Sequence, residues 1–112
     1  MELDTIIKQL GLTAMTTVDN LAKQITGAYA SDLLSDVLAH AKEGDLWITL
    51  QTHPNIIAVA TMKSIAGIIL VNGRQPESET LKKASEEKIP IFTTEGSTFE
   101  LAGQLYKLLG EK

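Results

Sequence analysis

Leu46, Ile48 and Leu50 alternate with Trp47, Thr49 and Gln51. A period of two predicts a strand over residues 44–51, with successive side chains on opposite faces of a sheet. Pro54 suits the first turn of a helix, so Gln51, Thr52 and His53 form a polar turn leading from the strand's C-terminal end into that helix. Ile56, Ile57, Ala58, Val59, Ala60, Met62 and Ile65 leave the helix hardly any polar side. Such a pattern predicts burial on more than one side, against the sheet and a partner subunit, with core burial alone as the alternative. The unbroken run Ala66-Gly67-Ile68-Ile69-Leu70-Val71 predicts a parallel strand covered on both faces. After it Asn72-Gly73-Arg74-Gln75-Pro76 reads as a loop and residues 77–88 as a more polar outer helix with Leu81 and Ala84 inward. Residues 89–93 predict another strand. Ser97-Thr98-Phe99-Glu100 matches a capping box, and Leu101, Ala102, Leu105, Leu108 and Leu109 give the last helix its buried stripe, with Gly110 ending it.

Upstream, Leu3, Ile6, Ile7 and Leu10 recur at helical spacing, and Gly11 supplies a C-terminal stop, so residues 2–10 predict a short amphipathic helix. Residues 12–15 read as a short strand and residues 23–30 as another, in which Gly27 implies a bulge, a close backbone approach or a turn. Ser31 is placed to cap a helix whose stripe is Leu33, Leu34, Val37, Leu38 and Ala41 and whose stop is Gly44; Ser35 and Asp36 fall outside the stripe and read as solvated. Strands alternating with helices predict an α/β fold, a mainly parallel central sheet with helices on its faces, joined by right-handed crossovers. A length of 112 residues fits one domain spanning residues 1–112.

Composition narrows the class. At 44% hydrophobic and 21% charged residues the chain has the make-up of a globular domain. The net charge is −4, and the ten Lys and Arg residues are scattered rather than gathered in a stripe, which argues against a nucleic-acid partner. The absence of cysteine removes disulfides and thiolate chemistry and agrees with a reducing compartment. The acidic start Met1-Glu2-Leu3-Asp4 lacks the basic region of a signal peptide, and no apolar run is long enough to span a membrane. The expectation is a cytoplasmic protein without a membrane association.

In a parallel sheet the turns that follow successive strands converge on one edge, where helix N-termini add partial positive charge. Candidate ligand-binding residues on that rim are Thr26, Gly27, Asp32, Gln51, Thr52, His53, Asn72, Gly73 and Arg74, with residues 93–95 beside them. Backbone N–H groups and Arg74 suit a small anionic metabolite or nucleotide. Each has a plainer alternative: Asp32 as a first-turn helix acid, His53 as a helix cap, Arg74 as a solvated loop cation. No nucleophile with a base and an orienting group stands out, so no catalytic residue is assigned. His40 and His53 lie on different elements without acidic residues at ligand spacing, so no metal site and no cofactor are expected. The absence of a G-x-x-x-x-G-K-[ST] loop argues against a kinase.

The run Ile25-Thr26-Gly27-Ala28-Tyr29-Ala30-Ser31-Asp32-Leu33-Leu34-Ser35-Asp36-Val37, the run Glu43-Gly44-Asp45-Leu46-Trp47-Ile48-Thr49-Leu50-Gln51-Thr52-His53-Pro54-Asn55, and the later Val71-Asn72-Gly73-Arg74 and Ile89-Pro90-Ile91 resemble small stand-alone DRTGG-domain proteins over roughly residues 1–109. DRTGG domains also occur in phosphotransacetylases and in pyrophosphatases with CBS domains, as accessory or regulatory modules. The fold that this resemblance implies is similar to the N-terminal domains of HPr serine kinase and of Mur ligases. Of the name-giving motif, Lys23-Gln24-Ile25-Thr26-Gly27-Ala28 keeps only the Thr-Gly pair. The resemblance implies a non-catalytic regulatory or ligand-sensing module acting through a protein partner, and the apolar helix at 56–65 adds the expectation of a homodimer. The alternatives are a small hydrolase or transferase acting on a phosphorylated metabolite, with His53 as acid or base and Arg74 holding the anion, and an interaction domain that binds no small molecule.

Overall fold

The alternating residues at the chain's centre form a strand buried on both faces, β3 (Leu46–Thr49), and the rest of the molecule is arranged around it. The structure, a computed structural model, describes residues 1–110. In chain order the elements are α1 (Leu3–Leu10), β1 (Thr13–Ala14), β2 (Ala28–Ala30), α2 (Leu34–His40), β3, α3 (Asn55–Met62), β4 (Gly67–Leu70), α4 (Ser78–Glu87), β5 (Ile91–Thr93) and α5 (Thr98–Leu105), the last running into a π-helical turn (Tyr106–Gly110).

The sheet order is β1-β5-β4-β3-β2. Strands β2 to β5 are parallel and each lies beside its predecessor, while β1 pairs antiparallel with β5, Thr13 opposite Thr93. Right-handed crossovers that all step the same way put α2, α3 and α4 on a single face. There Val37, Ile56, Ile57 and Ala84 pack on Trp47, Ile68, Leu70 and Ile91. On the opposite face Leu3 and Ile6 of α1 and Leu101 and Leu105 of α5 cover Leu46, Ile48, Ile69 and Phe92. The fold is thus an α/β sandwich of three layers around a mostly parallel five-stranded sheet.

Several expected elements shift. The strand expected over residues 23–30 shortens to Ala28–Ala30, and Gln24 makes only an isolated bridge with Glu2. The helix after it starts at Leu34 rather than beside Ser31, whose hydroxyl accepts the Leu33 N–H at 3.2 Å and so shapes the turn before the helix. It ends at His40, with Ala41 as cap. Gly44, with φ of 85°, belongs to the turn that enters β3. Leu33 and Leu38 are exposed, so the buried stripe of α2 narrows to Val37, Leu34 in part, and Ala41 beyond its end.

α3 departs from its expectation in an informative way. It is the middle helix of its layer, with α2 on one side and α4 on the other. Neighbouring helices, with the sheet beneath, account for its apolar circumference, so a partner subunit is not needed to cover it. Its outer side, Ala58, Thr61 and Met62, is exposed.

Candidate ligand site

The loops after β2, β3, β4 and β5 converge at one end of the sheet, and their polar groups largely satisfy one another. Asp32, in the loop after β2, accepts from the Thr49 hydroxyl at 2.9 Å and from the Leu50 N–H at 2.7 Å, and its carbonyl accepts from the Gln51 side-chain amide at 2.9 Å. It precedes α2, so it is not a first-turn acid of that helix; Asp36 takes that place. Asp32 is a brace that ties the ends of β2 and β3 together and orients Gln51. Thr49, almost wholly buried, spends its hydroxyl on Asp32 and on the Gln51 N–H.

Val71-Asn72-Gly73-Arg74 closes as a tight turn in which the Arg74 N–H reaches the Val71 carbonyl at 3.1 Å. Asn72 and Gly73 both have positive φ, 58° and 66°, the conformation for which an Asn-Gly pair is suited. Their amides do not face solvent: Asn72 donates to Gly96 at 2.9 Å and Gly73 to Thr94 at 2.8 Å, which zips this turn to the loop after β5. The expectation that these amides would receive an anion is corrected, because protein carbonyls already occupy them. Arg74 is exposed and has no ion pair among the described residues.

Between these braces lie Thr52 and His53. The Thr52 carbonyl accepts from the Glu77 N–H and the Thr80 hydroxyl, which anchors the start of α4 to the loop after β3. His53 Nδ1 accepts from the Asn55 N–H at 3.1 Å, so the ring caps α3 and this nitrogen is committed as an acceptor. Among the described residues, the Thr52 and His53 amides donate to no protein acceptor. His53 also lines a cleft of about 490 Å³ between α3 and α4, with Asn55, Lys83 and Glu86.

Thr26 and Gly27 do not belong to this site. They precede β2 and therefore lie at the other, N-terminal end of the strands; the shortening of β2 moves them there. Gly27 has a packing role: a β-carbon at this position would come within 2.8 Å of the carboxylate of Asp45, a buried side chain held by the Lys42 N–H.

A second polar cluster escaped the sequence reading. The Tyr29 hydroxyl donates to Asp36 Oδ2 at 2.8 Å, Asp36 Oδ1 meets His40 Nδ1 at 3.0 Å, and the Tyr29 and His40 rings stack. The Tyr29 bond, with Ser31 and His40 in the same sense, holds the Asp36 carboxyl below its ordinary range, and the same bond raises the Tyr29 phenol. The i,i+4 spacing of Asp36 and His40 was a legible signal; Tyr29 joins only through the sheet. None of these clusters sets a hydroxyl or amine nucleophile against a free base.

A family model described as the DRTGG domain matches residues 5–108. The chain belongs to the DRTGG domain family. A solved structure with the same fold is that of the CBS and DRTGG domains of the regulatory region of Clostridium perfringens pyrophosphatase, complexed with the activator diadenosine tetraphosphate. It is 19% identical, with a TM-score of 0.71 over 96% of this chain. The DRTGG chain described here spans 47% of that one, about half its length. No curated protein matches the chain. In this DRTGG domain Gly27 of the retained Thr-Gly pair lies against Asp45, on the end of the sheet away from the converging loops.

Proposed function

We propose that this DRTGG domain is a non-catalytic regulatory or ligand-sensing module, working as a homodimer through another protein and binding a small anionic metabolite or nucleotide beside the loop after β3. One observation carries the site: among the described residues the amides of Thr52 and His53, in the loop between β3 and α3, have no protein acceptor, and Arg74, in the loop after β4, is exposed without an ion pair. Loop amides just before a helix and a guanidinium together suit a phosphate or carboxylate. Gln51, held by the Asp32 carbonyl, borders the same loop. Asp32, Asn72 and Gly73 support the loops rather than contact the ligand. A regulatory role is supported by the family's place in the regulatory region of a pyrophosphatase that binds a nucleotide activator.

The test is a thermal-shift screen against nucleotides and phosphorylated metabolites, because a ligand that binds only the native state raises the melting temperature. The best ligand is then titrated calorimetrically. Arg74→Ala is expected to weaken it by about 1.5–3 kcal/mol, the scale of a hydrogen bond to a charged group. A silent screen would leave an interaction domain without a small ligand, and turnover of a screened compound would establish the enzyme instead.

A further inference from the structure

The cleft of about 490 Å³ between α3 and α4 begins at His53, beside the loop whose amides are free. Both helices follow parallel strands, so they lie side by side in the same direction and the cleft leads away from that loop along their length. Its floor is Ile57, 2% exposed, and its α3 wall is Ala58 and Thr61, both exposed. The methyl of Ala58 leaves the middle of the cleft open. From Pro54 to Thr61 the helix rises by roughly 10 Å, at about 1.5 Å per residue. The volume falls within the range of about 300–1,000 Å³ that receives a small organic molecule, far more than a phosphate group fills.

The polar groups along the cleft change character from one end to the other. At the loop end they are donors. His53 Nδ1 accepts the Asn55 N–H, so the neutral ring carries its hydrogen on Nε2 and offers an N–H rather than a lone pair. It stands with the free Thr52 and His53 amides. On the α4 wall are Lys83, Glu86 and Glu87, all exposed. Lys83 precedes the two glutamates at the spacing that forms helix ion pairs, yet among the described residues the ion pairs are Lys8–Asp4 and His40–Asp36. The charged ends of all three are therefore uncommitted. Two carboxylates against one ammonium accept hydroxyl and amino hydrogens and repel a second anion.

We infer that this cleft holds the body of the ligand whose anionic group meets the loop, and that the ligand is a ribonucleoside monophosphate. The inference rests on the anion-binding reading above and adds the class of body. Such a molecule carries its phosphate at one end. Behind the phosphate comes an uncharged body with ribose hydroxyls for Glu86 and Glu87 and a flat base for Ile57 and Ala58. Inorganic phosphate or a small carboxylate satisfies the loop and leaves the cleft unused. A ligand with anionic groups at both ends sets one of them beside the two glutamates.

The test titrates the common ribonucleoside monophosphates calorimetrically into the full chain, with inorganic phosphate and ribose phosphate as controls. At least one monophosphate is expected to bind about tenfold or more tighter than either control, the scale of a single added hydrogen bond to a charged group. Ala58→Leu, an exposed change that fills the middle of the cleft, is expected to remove that advantage and leave phosphate binding as it was. A melt followed by circular dichroism checks that this variant folds. In the wild type the amide resonances of Ala58 and Thr61 are expected to shift with the nucleotide and not with phosphate, while that of His53 shifts with both. Nucleotides that bind no tighter than the controls, an advantage that survives Ala58→Leu, or Ala58 and Thr61 resonances that stay still would each keep the anion at the loop and overturn the cleft. Silence from every probe overturns both readings.

Discussion

At the scale of single residues, much of the polar chemistry is spent on holding loops. Asp32 shows why this was hard to read from the chain alone. Its partners lie 17 and 18 positions away, on β3 and just past it, and only the parallel pairing of β2 with β3 brings them within reach. Asn72-Gly73 was legible because turn chemistry is local, although the carbonyls that claim its amides come from the loop after β5. The Tyr29–Asp36–His40 cluster yields a prediction with a defined sign. Asp36 is held below its ordinary value of 3.8, so its contribution to stability is complete above that value and lost as pH falls through the lower folded one. Tyr29 is held above 10.0, so its contribution is complete below that value and lost as pH rises through the folded one. Asp36→Asn is therefore expected to lower the melting temperature near neutrality and to flatten its fall into acid. A variant whose acid limb parallels the wild type would remove this cluster from the account.

At the scale of elements, legibility follows the strength of local signals. The capping box at α5 is realised in full: Ser97 Oγ accepts the Glu100 N–H at 3.2 Å, and Glu100 accepts the Ser97 N–H at 2.9 Å. Ser97→Ala is expected to cost about 1 kcal/mol, the usual loss of a serine N-cap, measured by urea unfolding; an unchanged midpoint would show that packing alone sets where α5 begins. α1 with its Gly11 stop, β4 and α4 likewise lie close to their expected spans, because each has a clear period or terminator. β2 was over-extended, since its apolar and small residues read as strand up to the point where the backbone approaches Asp45. The apolar girth of α3 was plain in sequence, but its cause was not: a period cannot say whether a neighbouring helix or a second molecule covers a face. The expectation set a partner subunit against α3, where the structure shows α2 and α4 on either side of it.

At the scale of the whole molecule, the four parallel strands are laid down in order, each beside the last, yet the N-terminal segment stands outside that order. β1 pairs with β5, the Met15 N–H reaches the Ile91 carbonyl, and α1 shares its core with α5. The first elements of the chain bond to residues 21–25 close by, but much of their remaining cover comes from the last ones. On a ribosome this makes synthesis and folding run out of step. The middle strands and α2 to α4 emerge before α5 can cover its part of the opposite sheet face, and α1 lacks its contacts with α5 until residues 91–105 have cleared the exit tunnel. A chain ending at Lys88 is expected to be digested throughout by a protease that spares the full-length protein, with α1 cut as readily as α4. Should a protected N-terminal fragment survive that digestion, α1 has a docking place of its own before β5 and α5 exist. Otherwise the domain is completed late and all at once, and until then its apolar sheet face is open to whatever chaperone or neighbouring chain reaches it first.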